Sequence, residues 1–177
     1  MMNLVKRTIA ISALIFASMA TTANAAQSPN FSFKDINGRS HQFAEYRGKW
    51  VVVNYWATYC GPCVAELPAL NTIAKRFRNE AVVLGIEAGE TPTDKLRQFV
   101  AQKGLSYTVA PTQDSAMYGM GLIYGVPTTF IVNPQGKVVK THMGAISAAQ
   151  LQRYIRSDKK DNNVADKCKN NRNEETC

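Results

Sequence analysis

The sequence predicts an α/β fold with a central mixed sheet flanked by helices and a short β-hairpin ahead of it. Three observations lead there. Two apolar runs, Lys49 to Ala57 (KWVVVNYWA) and Ala81 to Ala88 (AVVLGIEA), have the composition of strands buried on both faces. Segments with helical spacing follow each of them. Turn signals, Asn37-Gly38 and Pro134-Gln135-Gly136, sit between alternating or β-branched stretches. Strands that alternate with helices imply a mostly parallel sheet, to which a terminal hairpin adds antiparallel strands.

Taken in order, Phe31, Phe33 and Phe43 flank Asn37-Gly38 as a short hairpin. The first buried strand comes next. Residues from about Gly61 to Arg78 place Val64, Leu67, Leu70, Ile73, Ala74 and Phe77 on one helical face. After the second buried strand, TPTDKLRQFVAQKG gives a helix with Pro92 early and Gly104 just past its end. YTVA reads as a short strand and Asp114 to Tyr118 as a short helix. PTTFIVN and KVVKTHM form a second hairpin, and SAAQLQRYIRS is a closing helix with Ser147 as its cap.

The 177 residues, 45% hydrophobic and 19% charged, suit one globular domain. Lys6 and Arg7, the apolar run Thr8 to Met19 and the Ala23-Asn24-Ala25 pattern predict a signal peptide over residues 1–25. The alternative is a retained anchor, although the apolar core is shorter than the ~20 residues a spanning helix needs. Either way the remainder is exported, and the expected location is the periplasm or its membrane face. The domain then covers residues 26–157. Residues 158–177 are polar, with five acids and five bases, and form a tail.

The chain's net charge is +8; without Lys6 and Arg7, 19 basic residues face 13 acidic ones, leaving +6. No basic run is interleaved with aromatics, so nucleic acid is not an expected partner.

The chemistry centres on Cys60-Gly61-Pro62-Cys63, where the first buried strand meets its helix. A thiol at a helix N-terminus faces unpaired N–H groups and the positive end of the dipole. Such settings lower a thiol pKa from ~8.5 towards ~3.5–7.5. Three residues on, Cys63 shares a helix face with Cys60, and Pro62 fits the first turn without needing its N–H. Cys60 is the expected nucleophile and Cys63 the resolving thiol in thiol–disulfide exchange, which needs neither metal nor organic cofactor. A two-residue loop makes a poor structural staple, and a zinc site would need a second ligand pair. Copper binding by the two thiolates is the alternative from another class. A further alternative is oxidation or isomerisation of folding proteins. With Cys60 and Cys63 paired, Cys168 and Cys177 are expected to join in a tail disulfide.

WATYCGPC after a hydrophobic strand, with GVPTTFIVNPQGKV further along, resembles the thioredoxin superfamily. AELPAL and the leading FSFKDINGRSHQFAEYRGKWVVVNYWA are similar to its exported TlpA/ResA-like branch, some of whose members act in cytochrome c maturation. The resemblance spans roughly Phe31 to Ser157. It implies a thioredoxin-like fold, disulfide-bearing protein substrates and a membrane-embedded electron donor. It also implies an active-site role for Trp56 and a cis bond before Pro127, with the backbone at Val126 facing the substrate beside Gly61 and Pro62. Glu66 matches a glutamate of the ResA-like branch and stands three residues past Cys63 on the same face, so it is the expected proton acceptor. Asn54 departs from thioredoxin itself, where a buried acid holds that place.

Gly61-Pro62 is also the pair of reducing thioredoxins, and with no histidine in the motif the helix terminus acts nearly alone on Cys60. A reducing poise is therefore expected. Pro68 is expected to kink the helix. His41 and His142 are expected at the surface, and Tyr55, Tyr59 and Met117 in packing. Glu87 reads either as a second acid near the site or as a plain surface charge.

Overall fold

The hairpin forms where Asn37-Gly38 predicts it. In the computed structural model, which describes residues 29–156, β1 (Ser32–Lys34) pairs antiparallel with β2 (Ser40–Gln42). Gly38 turns at φ +81°, and Asp35 Oδ1 accepts the N–H groups of Asn37 and Arg39, each at 2.9 Å. His41 is not at the surface. It stands opposite Phe33 in the ladder, so alternation turns both inward. Its ring stacks on Phe33 at 5.0 Å, 2.9 Å from the Tyr46 hydroxyl and 3.3 Å from the Asp35 carboxylate. A 3-10 turn over Phe43–Tyr46 closes this unit. The predicted signal peptide and the 158–177 tail, with the disulfide expected there between Cys168 and Cys177, lie outside the described residues.

Next come β3 (Trp50–Trp56), α1 (Gly61–Arg76), β4 (Ala81–Glu87) and α2 (Thr93–Gln102). They are followed by β5 (Thr108–Ala110), α3 (Asp114–Tyr118), β6 (Thr128–Val132) and β7 (Val138–Met143), and a helix over 148–156, α4, comes last. The sheet order is β5-β4-β3-β6-β7. β3 pairs parallel with β4, and β4 with β5, whereas β6 is antiparallel to both β3 and β7. All seven residues of β3 are buried, as its unbroken apolar run requires of a central strand.

Alternation along β3 divides the core. Val52 and Trp56 face Leu67, Leu70 and Ile73 of α1, Leu96 of α2, and Leu151 and Ile155 of α4. Val51, Val53 and Tyr55 face the other way, beneath Phe31, Phe33 and Phe43 of the hairpin unit and Ala116 and Met120 around α3. At the edge of the sheet the hairpin turn adds one more main-chain bond, from Ile36 N–H to the Val109 carbonyl at 2.9 Å. β7 forms the opposite edge, mostly exposed, with a register irregularity against β6 at Ile131/Val132. Ser147 caps α4 in a reciprocal box with Gln150. The Gln150 N–H donates to Ser147 Oγ at 3.3 Å, and the Ser147 N–H donates back to Gln150 Oε1 at 2.9 Å.

Leu70 is wholly buried between α1 and the sheet. Leu70→Ala is expected to cost ~2–5 kcal/mol through lost burial and a residual cavity, read as a lower urea midpoint at unchanged slope.

Candidate active site

β3 ends at Trp56, and a tight turn follows in which the Cys60 N–H bonds the Ala57 carbonyl at 3.2 Å. Cys60 is the N-cap of α1, with extended φ −85° and ψ 107°, and Pro62 occupies the first helical turn. Cys60 and Cys63 are joined in a disulfide with Cα atoms 5.2 Å apart, and Cys60 Sγ accepts the Cys63 N–H at 3.3 Å. The two sulfurs differ in access. Cys60 is half-buried, whereas Cys63 is wholly buried among Leu67, Leu70 and their neighbours.

The loop before β6 approaches from the other side. The Val126–Pro127 bond is cis, and the Val126 carbonyl oxygen lies 3.9 Å from Cys60 Sγ. The Pro127 carbonyl accepts the Gly144 N–H at 2.8 Å, tying this loop to the end of β7. Beside it opens a cavity of about 170 Å³ lined by Tyr124, Val126, Pro127, Met143 and Gly144. Tyr124 is 84% exposed, Met143 69% and Tyr59, next to Cys60, 76%. Gly61 and Pro62 are exposed on the same rim.

One turn along α1 from Cys63, Glu66 is buried at the interface of α1 and β3. Its Oε1 accepts Asn54 Nδ2–H at 2.7 Å, and its Oε2 accepts the Ile146 N–H at 2.7 Å. Asn54 Nδ2 also donates to Thr129 Oγ1 at 3.0 Å. Burial pushes the Glu66 carboxyl above its ordinary value, against the pull of the Ile146 and Asn54 bonds and the charge of His142. A neutral partner at position 54 leaves Glu66 the acid of this pocket.

Cys60, Cys63, Gly61, Pro62, Val126 and Pro127 therefore converge, and Glu66 lies behind them. Trp56 does not join the surface. It is wholly buried and packs against Phe99 at 5.6 Å, because alternation along β3 turns it under the helices. It supports the site from within and offers nothing for a docked chain to touch. Tyr59, expected in packing, is instead among the most exposed aromatics, while Tyr55 is buried as expected. Sequence reading passed over Tyr124 and Met143, and only their nearness to Gly125-Val126-Pro127 and Gly144 would have marked them. Pro68 stands inside α1, where it has no N–H to give the Val64 carbonyl. Glu87 is no surface charge, since it is wholly buried.

The AhpC/TSA family matches residues 25–141. The chain belongs to this family. Within it, the chain is 31% identical over 153 residues to the thiol-disulfide oxidoreductase ResA of Geobacillus thermodenitrificans, covering 84% of this chain and 86% of that relative. It is 29% identical over 142 residues to ResA of Bacillus subtilis, covering 80% and 79%. A thiol:disulfide interchange protein of Chlorobium tepidum, itself a thioredoxin family protein, superposes with a TM-score of 0.63 at 25% identity, covering 73% of this chain and 92% of that one. The thioredoxin-like fold and the ResA-like resemblance read from the sequence both hold for this AhpC/TSA member.

Proposed function

We propose that this thiol–disulfide oxidoreductase works as an exported, periplasmic reductant of protein disulfides, of the kind cytochrome c maturation requires. The carrying observation is the unequal access of the two sulfurs beside the Val126 carbonyl. In the reduced protein the Cys60 thiolate attacks one sulfur of a substrate disulfide. A bond forms between Cys60 and the substrate, and the other substrate sulfur leaves as a thiolate that takes up a proton. Cys63 loses its proton to the Glu66 carboxylate and attacks Cys60 Sγ. The second substrate sulfur departs as a thiolate that takes up a proton, Glu66 gives its proton back to solvent, and the Cys60–Cys63 disulfide closes. The substrate has gained two electrons and two protons, which a membrane-embedded donor must return to the enzyme. The loop at the cis Val126–Pro127 bond and the cavity lined by Tyr124 and Met143 beside it suit an unfolded or extended protein chain as substrate.

Direction follows from how little stabilises the thiolate. Neither imidazole is bonded to Cys60: His41 is held by Asp35 and Tyr46 in the hairpin, and His142 Nε2 lies 3.2 Å from the Ala145 carbonyl. The helix terminus is left as the main stabiliser, and the disulfide should be correspondingly hard to reduce. Equilibration against glutathione is expected to give a potential near or below about −220 mV, and a value near the −120 mV of strong oxidants would reverse the assigned direction.

A further inference from the structure

Glu87 ends β4 wholly buried, and the exchange chemistry above makes no use of it. Its carboxylate organises the loop that follows. Oε1 accepts the Gly89 N–H at 3.0 Å and the Thr91 hydroxyl at 2.8 Å, while Oε2 accepts the Thr91 N–H at 3.1 Å. A hydroxyl has one proton to give, and that of Thr91 goes to Glu87. Across the 3.0 Å contact between Thr58 and Thr91, Thr58 must therefore be the donor. The result is a directed chain of bonds from Thr58 through Thr91 to a buried anion. Between the two pinned N–H groups, Glu90 is held at φ +58°, the left-handed region, with its own N–H on Thr112 Oγ1 at 3.1 Å.

This loop is wedged against the turn that bears Cys60. The Ala88 N–H bonds the Trp56 carbonyl at 2.8 Å. A Cβ added at Gly89 would lie 2.7 Å from Tyr59 Cε1 and 2.9 Å from Ala57 Cβ, leaving no slack between loop and turn. A buried carboxylate is costly unless its oxygens are satisfied, and here the bonds that satisfy it are those that shape the loop.

We propose that Glu87 is a positioning residue: acting through Thr91 and Thr58, its carboxylate fixes the 57–59 turn and so presents Cys60 Sγ to the N–H groups at the head of α1. Stabilisation of a thiolate there fades within the first helical turn, so a small displacement of Cys60 costs reactivity. The inference rests on Cys60 as the attacking thiol. The order in which Cys60 and Cys63 are alkylated in the unaltered protein tests that premise separately.

Glu87→Gln keeps the shape but sets an amide N–H against the Thr91 N–H. Thr58→Val keeps the buried charge and removes only the turn's bond to the loop. Both are expected to slow iodoacetamide alkylation of Cys60 at neutral pH, roughly three- to tenfold for Glu87→Gln and less for Thr58→Val, and to move its pH profile upward. Faster alkylation in Glu87→Gln would show that the charge acts on the sulfur directly and would overturn the proposal. An unmoved profile in Thr58→Val would overturn it too, and that variant decides alone if Glu87→Gln does not fold.

Discussion

Replacing Cys60 by serine is expected to abolish turnover outright, because among the described residues no other thiol can take its place. Cys63 is wholly buried, and the sulfur that meets the Val126 carbonyl loop is that of Cys60. Cys63→Ala is expected to behave differently. Attack still proceeds, but nothing displaces the product, so a mixed disulfide accumulates and can be isolated with its substrate attached. Mass spectrometry of the adducts under non-reducing conditions reads both outcomes. Adducts on Cys63 in the Cys60→Ser variant would reverse the roles. The proteins captured by Cys63→Ala would name the substrates, and cytochrome c precursors among them would support a place in that pathway.

The second large effect is expected at Glu66. If its carboxylate takes the proton from Cys63, Glu66→Gln should slow resolution of the mixed disulfide by about 10²-fold at neutral pH, the lower end of what a positioned base supplies, and leave the first attack unchanged. In the unaltered protein the resolving rate should climb as pH rises through the raised carboxyl value, and the glutamine variant should lack that limb. Equal slowing of both steps would remove Glu66 from the proton path. Stability carries its own sign. A carboxyl whose folded pKa is raised contributes most below its ordinary value of 4.5, and that contribution is lost as pH rises through the folded value. Glu66→Gln should flatten this decline between acid and neutral pH, which urea unfolding at the two ends of the range can measure.

Much of this was open to reading because local and global signals agree. β3 announces itself as a run of seven residues that can all be buried, and Gly61-Pro62 marks the start of α1. What escaped depends on partners brought in by the fold. His41 has the ordinary sequence context of a surface residue, and only pairing with β1 sets it on Phe33 and near Asp35. Asn54 and Glu66 stand far apart until α1 packs on β3 and joins them at 2.7 Å. The family resemblance implies an active-site role for Trp56, yet alternation along the strand turns it inward. Glu87 sits within reach of its partners along the chain, but nothing in GIEAGET distinguishes a satisfied buried carboxylate from an exposed one.

The two margins of the central sheet bear on how the molecule keeps to itself. A strand with unpaired N–H and C=O groups invites another chain to add on. β5 is only three residues long, and the Ile36 N–H already occupies its Val109 carbonyl. At the far margin, β7 departs from regular register beside β6 and displays Lys140, with Lys137 just before it. A flat, uncharged template for strand-by-strand growth is thus missing at both ends. Tyr59, Tyr124 and Met143 are exposed apolar side chains, and sheet margins built this way protect a molecule that displays them against strand-by-strand aggregation.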